Sequence, residues 1–293
     1  MRSTIARNPD ADARLREQDA KFKEKIPGEV RESDLPTRFG PNRVLEVGPI
    51  DAFPVVCLHA MRTGAPMLLS ELGPLAERYR LIAPDLPGQS IAGPPVKVDL
   101  QGAAYADWLG EILDGLAIER VRLFGVSWGG FVARLGATAM PDRISHLALL
   151  VPAGIASGSH VVGLAKMLWP MIRYRLRPTR TNLRKLLAPL LTTRDEDWED
   201  FIACSLRDWP IDPRIPPLAS DAALRGLSMP TMVLAGDRDI SFPGPAVIAR
   251  VERLVPSVRT ELLNDCRHCP PTTEAFRRHL ACRLIEFFDS KPV

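Results

Sequence analysis

One segment, Gly125-Val126-Ser127-Trp128-Gly129, constrains the fold of this 293-residue chain more than any other feature. It follows a short apolar run at residues 121–124 and precedes a run with helical spacing at residues 131–139. Glycines on both sides of a serine permit a strand-to-helix turn too tight for other side chains, and such a turn pushes the serine hydroxyl outward. The pattern is typical of a nucleophile elbow and predicts Ser127 as a covalent nucleophile.

Short buried strands alternate with amphipathic helices on both sides of this turn. Strands are predicted at residues 44–47, 55–58, 79–83, 121–124, 146–151, 231–235 and 258–262. Helices are predicted at residues 66–78, 100–116, 131–139, 244–254 and 273–288. This alternation predicts an α/β fold with a mostly parallel, doubly wound sheet that is covered on both faces.

The alternation stops after residue 151 and resumes at residue 231. Residues 153–227 show several helical segments and no clear strand, which predicts a helical lid inserted late in the sheet. Such an insertion would cover the carboxyl edge, where ligands bind in open α/β sheets. Residues 1–37 are expected to form a charged helical extension, and residues 38–152 with 228–293 the α/β core.

Composition excludes several classes of protein. Hydrophobic residues make up 46% and charged residues 25%, which is ordinary for a globular enzyme. A net charge of +3, without a basic stretch interleaved with aromatics, argues against a nucleic-acid partner. The N-terminus lacks a signal-peptide apolar region, and no window reaches the roughly 18 apolar residues of a membrane span. We therefore expect a cytoplasmic protein without stable membrane insertion.

The five cysteines are widely spaced, apart from Cys266 and Cys269, and predict free thiols in a reducing compartment. A zinc site would need further ligands, and no second cysteine pair exists, so no metal is expected. An alternative is that a disulfide between Cys266 and Cys269 displaces the intervening histidine and acts as a redox switch.

A serine nucleophile needs a base that is oriented by a third group, and in this architecture the chain order is Ser, acid, His. Asp237 and Asp239 both follow the strand at residues 231–235. Asp239 is favoured because three residues beyond Gly236 leave room for the chain to turn back toward the serine. Asp237 stays open as the alternative.

His268 is the predicted base. It lies between the last strand and the last helix, where the chain order requires it. The chain holds only four other histidines. His146 lies at a strand start and His279 on the final helix at a solvent-facing position. His160 lies in the insertion and His59 in an early loop.

Acyl transfer develops an oxyanion, which needs preorganised backbone donors. The N–H of Trp128, directly after the nucleophile, is one expected donor. The other is the N–H of Met61, in the loop at residues 59–62 that follows an early strand; we call this segment the oxyanion loop. The His59 side chain is expected to hold the turn of that loop.

With these residues in place, the chain resembles a serine hydrolase of the α/β-hydrolase superfamily over residues 38–290. The matching pieces are Leu58-His59-Ala60, the run from Asp85 to Ser90, the Ser127 elbow, the run from Gly236 to Asp239, and His268. The family usually has glycine where Ala60 and Arg267 stand, so the oxyanion loop is expected to differ in shape. Dehalogenases and epoxide hydrolases of this fold have aspartate at the elbow, and Ser127 argues against both.

The resemblance implies hydrolysis of a small-molecule carboxylic ester through an acyl-enzyme, without cofactor or metal, by a monomer or homodimer. The elbow sequence is similar to those of intracellular medium-chain polyester depolymerases and bacterial carboxylesterases. Four alternatives stay open: C–C bond hydrolysis of a dienone-type acid, perhydrolysis, lipid hydrolysis at interfaces, and a ligand-binding relative without catalysis.

Charge is unevenly distributed in the predicted lid. Residues 159–194 contain eight basic and no acidic residues, whereas acidic residues dominate at 195–200. One interpretation is a solvated lid whose helices neutralise each other. The other is a basic rim that attracts anionic substrates or a negatively charged surface. The apolar stretch at residues 161–171, with Leu164, Leu168 and Trp169, would line an acyl pocket or form the lid core.

Overall fold

The computed structural model describes residues 4–158, 160–210, 212 and 214–290, without the side chains of residues 160–166. The strands are β1 (Arg31–Thr37), β2 (Gly40–Val47), β3 (Pro54–Leu58), β4 (Arg80–Pro84), β5 (Val121–Val126), β6 (Ile144–Leu150), β7 (Thr231–Gly236) and β8 (Val258–Leu263). The helices are α1 (Pro9–Glu24), α2 (Ala65–Glu71), α3 (Gly73–Ala76), α4 (Ala104–Gly115), α5 (Trp128–Ala139), α6 (His160–Leu176), α7 (Arg180–Leu187), α8 (Glu196–Asp208), α9 (Asp221–Arg225), α10 (Gly244–Leu254) and α11 (Glu274–Phe288).

The strands form one eight-stranded sheet in the order β1-β2-β4-β3-β5-β6-β7-β8. β1 and β2 run antiparallel to their neighbours, and the pairs from β4 to β8 are parallel. The central strands are apolar and buried along nearly their whole length, as expected for a parallel sheet covered on both faces. The structure confirms the predicted α/β class.

Helices bury both faces of this sheet. One hydrophobic cluster joins α4, α5 and α10 to the sheet, with Trp108, Phe131 and Val247 fully buried. A second joins α2, α3 and α11 to the opposite face, around Leu69 and Phe288. The carboxyl ends of the parallel strands therefore open at one edge between the two layers.

Two segments differ from the sequence-based expectation. The helix predicted at residues 66–78 is divided into α2 and α3 at Leu72, because Pro74 has no N–H to donate to the Ser70 carbonyl four residues earlier. The expected helical extension at residues 1–37 contains α1 but also β1, whose seven residues pair with β2. β1 is a polar, largely exposed edge strand, so it carries no alternating apolar pattern.

The insertion at residues 153–227, for which we keep the name lid, contains helices α6 to α9. Helix α1 packs against lid helix α8. The Phe22 and Phe201 rings meet edge to face at 5.7 Å, and Arg14 donates two hydrogen bonds to the Asp208 carboxylate. The N-terminal helix thus packs against the lid and is hydrogen-bonded to it. None of the helices in the described part of the chain has the length and apolar character that a bilayer crossing needs.

A buried charge network joins α1 to the core beneath the lid. Arg43 on β2 donates two hydrogen bonds to Asp19 of α1 and one to Asp85, which follows β4. Asp85 also accepts hydrogen bonds from the Ala65 N–H at the start of α2 and from the Ser90 hydroxyl. Burial alone would raise the pKa of Asp85, but the Arg43 charge holds it below its usual range. One guanidinium is therefore shared between two buried carboxylates, and burial raises the pKa of the second, Asp19, above its usual range.

Replacing Arg43 with methionine should lower the free energy of unfolding by about 3–5 kcal/mol, because both buried carboxylates lose their cation. Urea denaturation at neutral pH measures this. Arg16→Met is the matched control on α1, since Arg16 pairs with Asp12 at the surface, where water screens the interaction. Equal losses in the two variants would contradict the importance of the buried network.

Candidate active site

Ser127 occupies the single-residue turn between β5 and α5. Its backbone has φ +52° and ψ −110°, a conformation that non-glycine residues rarely adopt. A Cβ on Gly129 would lie 2.0 Å from the Leu58 carbonyl oxygen, and one on Gly125 would lie 2.5 Å from the Gly129 oxygen. Both glycines are therefore required for the close approach of helix to strand. The Ser127 N–H donates to the Leu150 carbonyl at 3.0 Å, which fixes the turn.

The structure brings together the three side chains that the sequence singled out. Ser127 Oγ lies 3.0 Å from His268 Nε2, and His268 Nδ1 lies 2.8 Å from Asp239 Oδ2. A carboxylate only accepts, so Nδ1 carries the proton in the neutral imidazole and Nε2 accepts from the serine hydroxyl. The arrangement can move a proton from the serine to the imidazole.

The two competing aspartates have different partners. Asp239 is buried, and its other oxygen accepts hydrogen bonds from the Ser241 and Phe242 N–H groups at 2.7 and 3.0 Å. These two bonds orient the carboxylate toward His268. Asp237 instead accepts the Cys266 N–H at 3.0 Å, and so it holds the loop rather than the imidazole.

The segment at residues 265–270, the histidine loop, is hydrogen-bonded to the lid on both sides of His268. The Arg267 N–H donates to Thr192 Oγ1 at 2.9 Å, and the Cys269 N–H donates to the Leu190 carbonyl at 2.8 Å. Thr192 returns two bonds to the Cys269 carbonyl, from its N–H and its hydroxyl. The position of His268 is thus determined jointly by the core and the lid.

His59 shapes the oxyanion loop. Its Nε2 accepts the Leu86 N–H at 2.9 Å, so its Nδ1 carries the proton and donates to the Ala60 carbonyl at 2.7 Å. Burial lowers the pKa of His59 below its ordinary value near 6.5, although the Asp85 charge opposes this. A neutral imidazole therefore ties the oxyanion loop to the end of β4.

The two expected oxyanion donors lie beside one cavity. Met61 and Trp128 both line a cavity of about 170 Å3, together with Gln89 and Trp209. Trp128 is the first residue of α5, so its N–H has no partner inside the helix. Among the loop hydrogen bonds of the described residues, none uses the Met61 N–H.

Arg62, for which the sequence patterns predict no role, lines the same cavity. It has φ +56°, and its guanidinium donates to the Trp209 and Pro210 carbonyls of the lid at 3.0 and 2.7 Å. Burial lowers the pKa of Arg62, with the Arg7 charge adding to this. Nε is buried without a partner among the described residues. The only feature of the sequence that could have singled out Arg62 is its position directly after Met61, the expected oxyanion donor.

The remaining candidate side chains that the structure describes are not hydrogen-bonded to Ser127, His268 or Asp239. His146 contacts the Ser290 carbonyl, and His279 pairs with Glu261. Cys266 and Cys269 are free thiols, and burial raises their pKa values to about 11 and about 12, so both stay protonated and react slowly. Among the described residues, no group of three or more His, Cys, Asp or Glu side chains is placed to hold a metal ion.

A family model and several known proteins are similar to this chain in sequence. The family model described as "Alpha/beta hydrolase family" matches residues 55–278. A protein of Bacillus subtilis (strain 168), named as an uncharacterized carboxylesterase, nap, is 25% identical over 271 residues, spanning 88% of this chain and 86% of the relative.

Two solved structures show the same fold over most of the chain. The crystal structure of naproxen esterase from Bacillus subtilis superposes with a TM-score of 0.80 at 22% identity, covering 96% of this chain and 99% of that one. A meta-cleavage product hydrolase from Pseudomonas fluorescens IP01 superposes with a TM-score of 0.69 at 21% identity, covering 88% and 97% of the two chains.

The buried neutral His59 predicts a specific acid sensitivity. An imidazole with a lowered folded-state pKa stabilises the protein fully above about pH 6.5, and that stability is lost as the unfolded state takes up the proton at lower pH. His59→Gln cannot take up this proton. Its free energy of unfolding should therefore fall less than that of wild type between about pH 7.5 and pH 5, by up to ~1.4 kcal/mol per pH unit.

Urea denaturation at several pH values measures this difference. His279→Gln, at an exposed pair with Glu261, is the control and should leave the acid loss at least as large as in wild type. Identical slopes for wild type and His59→Gln would show that His59 does not contribute.

Proposed function

Because this chain belongs to the alpha/beta hydrolase family, we propose that it is a carboxylesterase that uses Ser127, His268 and Asp239 as a catalytic triad. The observation that carries the proposal is the continuous hydrogen-bonded line from Ser127 Oγ through the His268 ring to Asp239, with distances of 3.0 and 2.8 Å. The B. subtilis relative named as a carboxylesterase, similar along most of the chain, supports the ester substrate.

The first half of the reaction forms an acyl-enzyme. Ser127 Oγ attacks the ester carbonyl carbon while its proton passes to His268 Nε2. The tetrahedral intermediate collapses when His268 returns this proton to the departing alkoxide, which leaves as the alcohol. Asp239 accepts the His268 Nδ1–H and stabilises the imidazolium, and the two N–H groups on its other oxygen keep the carboxylate oriented for this role.

The second half releases the acid. A water molecule gives a proton to His268 Nε2 and attacks the acyl carbonyl carbon, and the second tetrahedral intermediate expels Ser127 Oγ, which regains the proton from His268. In both halves the Met61 and Trp128 N–H groups donate to the oxyanion. Their advantage is that neither has to give up a protein acceptor first, so the donors are preorganised.

A second candidate is C–C bond hydrolysis of a carboxylate-bearing substrate on the same three residues. Arg62 favours it, since its guanidinium lines the cavity beside both oxyanion donors and no described carboxylate lies in ion-pair contact with it. The superposition on a meta-cleavage product hydrolase is consistent with this candidate. Asp212 lines the same cavity and its charge acts on Arg62 without an ion-pair contact, so an acidic substrate would supply the directly paired counterion.

Hydrolysis of p-nitrophenyl esters from acetate to palmitate tests whether the protein is an esterase. Turnover should peak at one acyl length and should fall by roughly 10⁴-fold or more in Ser127→Ala, which lacks the nucleophile. Labelling of wild type by a fluorophosphonate, with no turnover of any ester in the series, would overturn the esterase assignment. It would favour C–C hydrolysis, which ring-cleavage products would then test.

The neighbouring aspartates provide a matched pair of variants. Asp239→Asn should lower kcat by roughly 10³–10⁴-fold, because the amide no longer stabilises the imidazolium or the required tautomer. Asp237→Asn keeps an oxygen that accepts the Cys266 N–H and should change kcat by less than about ten-fold. Steady-state kinetics on one ester decides between them, and a larger loss in Asp237→Asn would reverse the two roles.

A further inference from the structure

Helix α6 of the lid exposes a stripe of large apolar side chains. Leu168, Trp169, Ile172 and Leu176 are 49%, 64%, 39% and 77% exposed. Successive residues of an α-helix are rotated by about 100°. These four side chains therefore fall within one arc of roughly 100° on the outer side of α6. Contiguous exposed apolar surface of this kind marks an interaction site rather than an ordinary solvated face.

Arginines border this stripe on both sides. By the same helical rotation, Arg175 lies at one edge of the arc and Arg173 at the other, and Arg177 follows beyond it. All three are exposed. Among the described residues none of the three has a carboxylate partner, whereas Arg180 and Arg184 of α7 pair with the acidic helix α8.

The basic residues of the lid therefore differ in their ion pairs. Two arginines of α7 are paired with carboxylates of α8, whereas the arginines at 173, 175 and 177 have no carboxylate partner among the described residues. In addition, the exposed Leu168 and Trp169 do not behave as lining of a buried acyl pocket, and Leu164 and Lys166 have side chains outside the described residues.

The combination identifies the chemistry of the partner. The apolar side chains of α6 are stabilised when they leave water for an apolar environment. The arginines on both sides of them are stabilised by anions at the boundary of that environment. Anionic phospholipid offers both, with acyl chains below and phosphates at the level of the headgroups. Tryptophan beside arginine is suited to this boundary, because its ring is apolar with one polar N–H.

Other partners fit less well. A nucleic acid would neutralise the arginines but leave Leu168 and Leu176 in water, because phosphates surround its apolar bases. A second copy of the chain, packed symmetrically through α6, would place six arginines around one apolar contact, and Arg173, Arg175 and Arg177 have no carboxylate partner among the described residues to offset them. The charge pattern therefore disfavours a contact between copies.

We infer that α6 is a docking helix that holds this protein on an anionic lipid surface, with Leu168, Trp169, Ile172 and Leu176 in the interface and Arg173, Arg175 and Arg177 on the phosphates. Docking is peripheral, since the helix lies along the surface and does not cross it. It places the lid, which contacts the histidine and oxyanion loops, next to the lipid.

Co-sedimentation of the full chain with large unilamellar vesicles tests the inference. The Ser127→Ala background prevents hydrolysis, so that binding is measured separately from the proposed activity. Binding to vesicles of phosphatidylcholine with 30% phosphatidylglycerol should exceed binding to phosphatidylcholine alone, and 0.5 M NaCl should weaken it by screening. Soluble-ester turnover in the α6 variants, with Ser127 present, should equal that of wild type.

Two α6 variants separate the charged and apolar contributions. Arg173→Gln/Arg175→Gln/Arg177→Gln should lower the partition coefficient roughly 100-fold, at about five-fold per arginine. The control Arg120→Gln/Arg253→Gln/Arg259→Gln makes the same change in net charge at exposed positions outside the lid and should bind nearly as wild type.

Leu168→Ser/Leu176→Ser should lower the partition coefficient at least ten-fold, because apolar area no longer leaves water. Its control is Ile50→Ser/Leu262→Ser, which alters exposed apolar residues elsewhere. Absence of vesicle binding in the unsubstituted protein, or equal binding by α6 variants and controls, overturns the inference. So does sedimentation showing that the α6 variants convert a dimer to a monomer without vesicles, since the stripe would then join two copies.

Discussion

The close approach of α5 to β3 at Gly129 is the contact on which the rest of the site depends. With the Leu58 carbonyl where a Cβ would otherwise stand, the helix can begin directly after β5, and only one residue is left to make the turn. That residue accepts a strained backbone, which costs on the order of 1–3 kcal/mol. Packing on both faces of the sheet offsets this strain energy. The strained turn holds the Ser127 hydroxyl in one position at the carboxyl edge of the sheet.

The lid and the histidine loop behave as one structural unit. Leu190 and Thr192 of the lid are hydrogen-bonded to the residues on either side of His268, and Arg62 of the oxyanion loop donates to the Trp209 and Pro210 carbonyls of the lid. A lid that moved freely would break both sets of bonds. We therefore expect substrate entry to involve the outer helices of the lid more than the segment at residues 190–193, because the latter positions the imidazole.

The sequence predicted the central sheet well, because parallel strands buried on both faces are continuous apolar runs that need no partner to be recognised. It missed β1, since an exposed edge strand has neither apolar continuity nor alternation. It ranked Asp239 above Asp237 from spacing alone, but only hydrogen bonds from Ser241 and Phe242 explain how that carboxylate is oriented. The network of Asp19, Arg43 and Asp85 was not predictable, because its members come from three distant elements.

Helix α1 also has a consequence for how the chain is made. Its buried face packs on a lid helix, and Arg14 and Asp208, which join the two helices, are 194 residues apart. At the usual 5–20 residues per second of synthesis, α1 waits roughly 10–40 s for that partner to emerge from the ribosome. Leu15 and Phe22 stay in water or on a chaperone during this interval. The many charged residues of α1 keep the nascent segment hydrated until the lid arrives to close the molecule.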